Sequence, residues 1–161
     1  MAVKVVFKKE VSRNLIKWFW ICSCPLYFST LFYVVFFSGR RPSASLGAHH
    51  VKPRLEPFTM KWYLYKQVQD VNSVYLDVIG NIVMFVPFSL FLFIVFGFRR
   101  LDYILLLGFL LSLAIEITQY ITGVGFPDID DVIFNTFGTV LGLLIIKGID
   151  RVLLTDIHKK M

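Results

Sequence analysis

Four long apolar stretches, each close to the ~20 residues needed to cross a bilayer, divide this sequence. They predict membrane helices over residues 18–37, 78–96, 103–122 and 132–149. Charged side chains fall between these stretches instead of alternating with the apolar ones. Lys17 precedes the first stretch and Arg40-Arg41 follow it, Arg99-Arg100 close the second, and Lys147 sits near the end of the fourth, within reach of the interface. Pro25, Asn81 and Pro87 interrupt the pattern, but membrane helices tolerate such residues. The fold class expected is therefore an all-α integral membrane protein, a four-helix transmembrane bundle forming one domain over residues 1–161.

The first loop, residues 38–77, has two parts. Pro42, Gly47, Pro53 and Pro57 predict an irregular first part. In the second, Met60, Leu64, Val68, Val71 and Tyr75 fall at helical spacing, with Trp62, Tyr63 and Tyr65 adding interfacial aromatic character. Two placements fit: an amphipathic helix lying on the membrane surface, or a loop packed over the bundle.

Composition supports the same solvent. Of the 161 residues, 57% are hydrophobic and only 17% charged, too few to cover a soluble domain of this size. The net charge of +6 does not point to nucleic acid, because the basic residues flank apolar segments and form no stripe with stacking aromatics. They orient the chain instead. With the N-terminus in the cytoplasm, 11 Lys and Arg lie inside against 6 outside, which predicts a multi-pass cell-membrane protein with both termini cytoplasmic. The first stretch is expected to remain as a helix and not to be cleaved as a leader. It exceeds the ~7–15 residue apolar region of a signal peptide, and Arg40-Arg41 precede the small residues Ser43-Ala44-Ser45.

The candidate chemistry lies in the second half. Stretch two begins, stretch three ends and stretch four begins at one membrane face. Asp77 and Asn81 are four residues apart, as are Asp131 and Asn135, so each pair shares a helix face. Ser112, Glu116 and Gln119 fall at i, i+4 and i+7 near the end of stretch three. Glu116 lies roughly 10 Å inside its helix end, where a carboxylate must be paired, protonated or facing water. Such a set can bind a hard cation, perform acid–base chemistry, or hold a cationic or hydrogen-bond-rich ligand. It can also be glue, with amides bonding across helices while Gly138 and Gly142 permit close packing. Asp128 and Asp130 have a structural reading of their own, as cap and dipole partners of the fourth helix.

No metal site or cofactor is expected. Cys22 and Cys24 lie two apart on a membrane helix and point different ways, and His49 and His50 have no spaced partner. No nucleophile elbow, phosphate loop or zinc spacing occurs.

The blocks Leu55-Glu56-Pro57-Phe58, Gly80-Asn81 through Pro87-Phe88, Glu116-Ile117-Thr118-Gln119 and Asp128-Ile129-Asp130-Asp131 through Gly138 occur in an order that resembles the VanZ-like family. That family is named after a teicoplanin-resistance membrane protein. The likeness covers roughly residues 40–146. It implies that Asn81, Glu116, Gln119, Asp128, Asp131 and Asn135 are the signature polar positions. It also implies a bacterial cell-envelope protein that lowers susceptibility to teicoplanin-type glycopeptide antibiotics, and the acidic residues gathered at the outer face are expected to form the pocket that does so. Membrane lipids, a glycopeptide antibiotic or a lipid-linked cell-wall precursor would be its partners. The resemblance implies no defined reaction. The alternative is a cation-dependent membrane hydrolase or transferase acting on a lipid-linked envelope precursor, with Glu116 and Asp131 as ligands or base. In one respect the chain departs from the pattern: many members place an Arg before the Asp-rich block, where this chain has Val124-Gly125-Phe126-Pro127.

Overall fold

A computed structural model of the chain describes residues 2–37, 52–68, 71–123 and 127–158. The irregular part of the first loop with His49 and His50, and the turn residues 124–126, lie outside the described residues. The elements are α1 (Ala2–Phe37), α2 (Thr59–Tyr63), α3 (Val71–Ile94), α4 (Leu101–Thr122) and α5 (Ile129–His158). Helix α2 runs on into a π-helical turn over Leu64–Val68. Among the described residues, four helices are long and apolar enough to cross a membrane. The all-α bundle expected from the hydropathy pattern is the architecture found.

Helix lengths differ from the apolar stretches at three points. Helix α1 begins well before residue 18, and α5 runs nine residues past 149. Helix α3 begins at Val71 and not at 78, so Val71 and Tyr75 belong to the membrane helix and not to a separate loop helix. A helix ends where its hydrogen-bond ladder ends, and apolar character marks only the part in lipid.

The closest pairing is between α3 and α5, and glycine makes it possible. A side chain at Gly138 would run into the backbone carbonyl of Ile82, and one at Gly142 would meet Val86 O at 2.7 Å. Small residues at these positions let two backbones approach, which in lipid is the main source of helix association. Ser89 Oγ uses that proximity to donate 2.9 Å to Thr139 O. Helix α4 packs on α5 through Gly108, which faces the Thr139 side chain. Below them Phe88, Leu90, Leu92, Ile104, Leu143 and Ile146 form the buried core.

Helix α1 leans mainly on α3. Trp20 meets Phe91 edge-on at 5.0 Å, Tyr27 tilts against the same ring at 4.9 Å, and Tyr27 Oη donates to Met84 O at 2.7 Å. Outward, Leu26, Val83, Phe109, Ile121 and Leu144 are exposed, as expected of side chains whose solvent is hydrocarbon. At the end of α4, Gly123 adopts φ 66°, the left-handed conformation that closes a helix without a Cβ penalty.

Candidate functional site

The start of α3, the end of α4, the start of α5 and α2 meet at one end of the bundle. The chain entering α5 is held by the loop: Arg54 N donates to Pro127 O at 2.9 Å and Ile129 N donates to Arg54 O at 3.0 Å, a short parallel bridge. Asp128 then caps α5, its Oδ1 accepting the Asp130 N–H at 2.9 Å. That satisfies one donor of the first turn, as the sequence pattern anticipated for this residue.

At the centre stands Lys61 of α2, 7% exposed. Its Nζ lies 3.0 Å from Asp77 Oδ2, 3.2 Å from Asp130 Oδ2, 3.4 Å from Asp128 Oδ2 and 3.6 Å from Asp131 Oδ1. An ammonium has three protons, so it can serve three of these four carboxylates at once. The most distant, Asp131, is compensated by Asn81, whose Nδ2 donates to it at 2.7 Å. Burial alone would push the Lys61 ammonium down, but the carboxylates of Asp77, Asp131 and Asp128 outweigh it and hold the pKa above the ordinary lysine range. The Phe134 ring lies 5.5 Å below the same ammonium.

Asp130 does more than serve a helix dipole. It is 1% exposed, and besides Lys61 its Oδ1 accepts the Phe58 N–H at 2.8 Å. Phe58 holds φ 62°, which is uncommon for a residue with a Cβ. The bond to Asp130 compensates that strain and turns the chain into α2.

Two further layers lie toward the membrane interior. Glu116, 7% exposed, accepts the Asp128 N–H on Oε2 at 2.8 Å. One turn below, Asn135 Nδ2 donates to Ser112 Oγ at 2.9 Å, while the buried Asn135 Oδ1 has no hydrogen-bond partner among the described residues.

Of the six positions singled out in the sequence, Asn81, Asp128 and Asp131 meet in the lysine cluster, and Glu116 joins it through the Asp128 amide. Asn135 lies one turn deeper. Gln119 does not converge: its Nε2 donates 3.2 Å to Val35 O and ties α4 to α1. The cluster also contains Lys61, Asp77, Asp130 and Arg54, which the six positions omit. An end expected to be acidic is thus an ion-pair cluster with a buried lysine at its centre. The departure before the Asp-rich block also has a counterpart, since Arg54 Nη1 comes within 3.7 Å of Asp128 Oδ2 from the loop side. The segment is helical, and Lys61 ties it to the end of the bundle while Trp62, Tyr63 and Tyr65 are exposed.

Residues 25–153 match the sequence profile of the VanZ/LLP1 family. A curated relative, Protein VanZ of Enterococcus faecium, is 33% identical over 121 residues, which span 73% of this chain and 67% of that protein. No solved structure matches.

Proposed function

The chain belongs to the VanZ/LLP1 family, and from that premise we propose that it is a multi-pass cell-envelope protein that lowers susceptibility to teicoplanin-type glycopeptide antibiotics. The orientation that goes with this reading places both termini in the cytoplasm and the lysine cluster at the outer face, where an envelope ligand arrives. The observation that carries the proposal is the Lys61 cluster itself. Four aspartates from two helices converge on one buried ammonium. Packing does not require so expensive an arrangement, because a buried ion pair contributes little net stability over apolar residues of similar volume. A polar head presented to this end would find oriented carboxylates, amides and N–H groups held in a nearly dry setting. The exposed aromatics of α2 would meet the lipid surface beside it.

The hydrolase or transferase alternative, with a metal between Glu116 and Asp131, is less well supported. Lys61 Nζ already stands between the carboxylates, and among the described residues no group of acidic, His or Cys side chains is arranged to hold a metal ion.

The test is teicoplanin susceptibility of a sensitive Gram-positive host expressing the wild type, Glu116→Gln or Asp131→Asn at matched membrane levels. The wild type is expected to raise the inhibitory concentration and both variants to lose that effect. If wild type and empty vector behave alike, the resistance role is wrong. If the variants protect as well as the wild type, the polar cluster does not carry it.

A further inference from the structure

Phe58, helix α2 and the π-helical turn Leu64–Val68 form one short segment at the end of the bundle. Of the side chains described in it, Lys61 alone is buried, Met60 and Leu64 are half-buried, and the others are exposed. An element that docks by apolar burial turns its aromatic side chains inward, as α1 does with Trp20 and Tyr27 against Phe91. Here Trp62, Tyr63 and Tyr65 are exposed, and the side chain inserted is the cation. Charge is the main fastening of this segment.

Such a fastening opens at low cost. Lifting Lys61 away returns its ammonium and the carboxylates of Asp77, Asp128, Asp130 and Asp131 to water, and the hydration regained offsets most of the attraction lost. Little apolar surface is exposed at the same time, so this motion costs far less than unfolding the bundle. The backbone is irregular at both ends of the segment. Phe58, at φ 62°, is the one residue with a Cβ in the left-handed region among the described residues, and a rare π-helical turn follows α2. Asp130 joins the pivot to the fastening: its Oδ1 accepts the Phe58 N–H at 2.8 Å, and its Oδ2 lies 3.2 Å from Lys61 Nζ. Both contacts are made or lost with one carboxylate, which makes the segment move as a unit.

We infer that residues 58–68 are a strap over the carboxylates, latched by Lys61 and hinged at Phe58, which opens while α3, α4 and α5 stay packed. In the closed state Lys61 occupies the space between Asp77, Asp128, Asp130 and Asp131. A ligand head reaches these groups only when the strap lifts, so the latch controls access to this end. The inference rests on reading this end of the bundle as the ligand-binding end, but not on the resistance phenotype.

The test is carboxyl footprinting of the full chain in phosphatidylcholine nanodiscs, using a water-soluble carbodiimide with glycine ethyl ester and mass spectrometry of each site. Exposed Glu56 gives the unhindered rate, and Asp130, 1% exposed, reports the space under the strap. Glu116 is also buried but bonds the start of α5, so it reports loosening of the bundle itself. In the wild type Asp130 is expected to react more slowly than Glu56 and at least about tenfold faster than Glu116. Lys61→Met should speed Asp130 about tenfold to a hundredfold, the range of a hydrogen bond to a charged group, and leave Glu116 unchanged. Raising sodium chloride from about 0.05 M to about 1 M should speed Asp130 in the wild type too, because salt screens the exposed charges of the open state more than the buried pairs. That arm decides the matter if Lys61→Met does not fold. Asp130 as slow as Glu116 in the wild type overturns the strap. So does an Asp130 rate that neither Lys61→Met nor salt raises, or one that rises only together with Glu116. Resistance from a wild type whose Asp130 stays as shielded as Glu116 sinks this inference alone. A strap that opens in a protein giving no resistance sinks the proposed function alone.

Discussion

Lys61 Nζ lies 3.0 Å from Asp77 Oδ2, an ion pair that fastens the short helix α2 to the first turns of α3. With Asp130 at 3.2 Å the same ammonium also fastens α2 to α5. Removing one partner of a buried charge group strands the others, at a cost of about 3–5 kcal/mol. Lys61→Met is therefore expected to lower the unfolding midpoint of the purified protein sharply. Adding Asp130→Asn to that variant should recover part of the loss, because one stranded carboxylate is removed. A Lys61→Met protein as stable as the wild type would show that the lysine is not needed to hold this end together.

The same lysine sets a pH dependence. Its folded pKa is raised, so its contribution is complete below the unfolded value near 10.5 and is lost as pH rises through the higher folded value. This contribution should be constant from neutral pH to about 10 and then decline, as read from thermal unfolding in detergent. Lys61→Met should remove this component of the alkaline decline. A decline of equal size in both proteins would assign it to other groups.

Glycine substitutions should separate the helix interface from the rest of the bundle. Gly138→Ala drives a methyl group into the Ile82 carbonyl, which is backbone and cannot swing aside. Destabilisation of at least ~1–3 kcal/mol is expected, the usual cost of overpacking. Gly80, on the same α3 helix, has nothing within 4 Å of the added carbon, so Gly80→Ala should be neutral or stabilising by up to ~1 kcal/mol through helix propensity. Equal effects of the two changes in a folding assay would contradict the close approach of α3 and α5.

Ser112 and Asn135 should behave as a unit. Ser112→Ala leaves the Asn135 amide with both ends unmatched in a buried layer, a loss of ~1–3 kcal/mol. Adding Asn135→Ala removes the stranded amide and should restore much of that loss, a coupling measurable by a double-mutant cycle. Strict additivity would mean that the Ser112–Asn135 bond contributes nothing.

Hydropathy and charge placement were enough to locate the four membrane helices, because each is long and apolar and has basic residues near at least one end. The i, i+4 spacing likewise placed Asp77, Asn81 and Asp131 at the end where they meet, with Asn135 one turn deeper beside Ser112. Lys61 was harder to see. Among Trp62, Tyr63 and Lys66 it reads as one more interfacial cation, and three of its four carboxylate partners lie 67 or more residues later, in Asp128, Asp130 and Asp131. The signal available was four aspartates gathered at one face, in a phase that penalises uncompensated charge, so that some of the six Lys and Arg assigned to that face had to pair with them. Gln119 misled for a different reason. Helical spacing places it near Glu116, but the facing element there is α1, and Val35 O takes its proton.

The distance along the chain between Lys61 and its aspartates also bears on how the protein is made. While the ribosome is still building α4, Lys61 has only Asp77 to meet, and the glycine-lined groove for α3 has not yet been synthesised. Only when α5 enters the membrane do Asp128, Asp130 and Asp131 reach the lysine and Gly138 and Gly142 reach α3. Helix α5 thus acts as the closing piece of assembly, and a nascent chain stalled before it would present an unmatched cation and an open helix face to the cell's quality-control proteases.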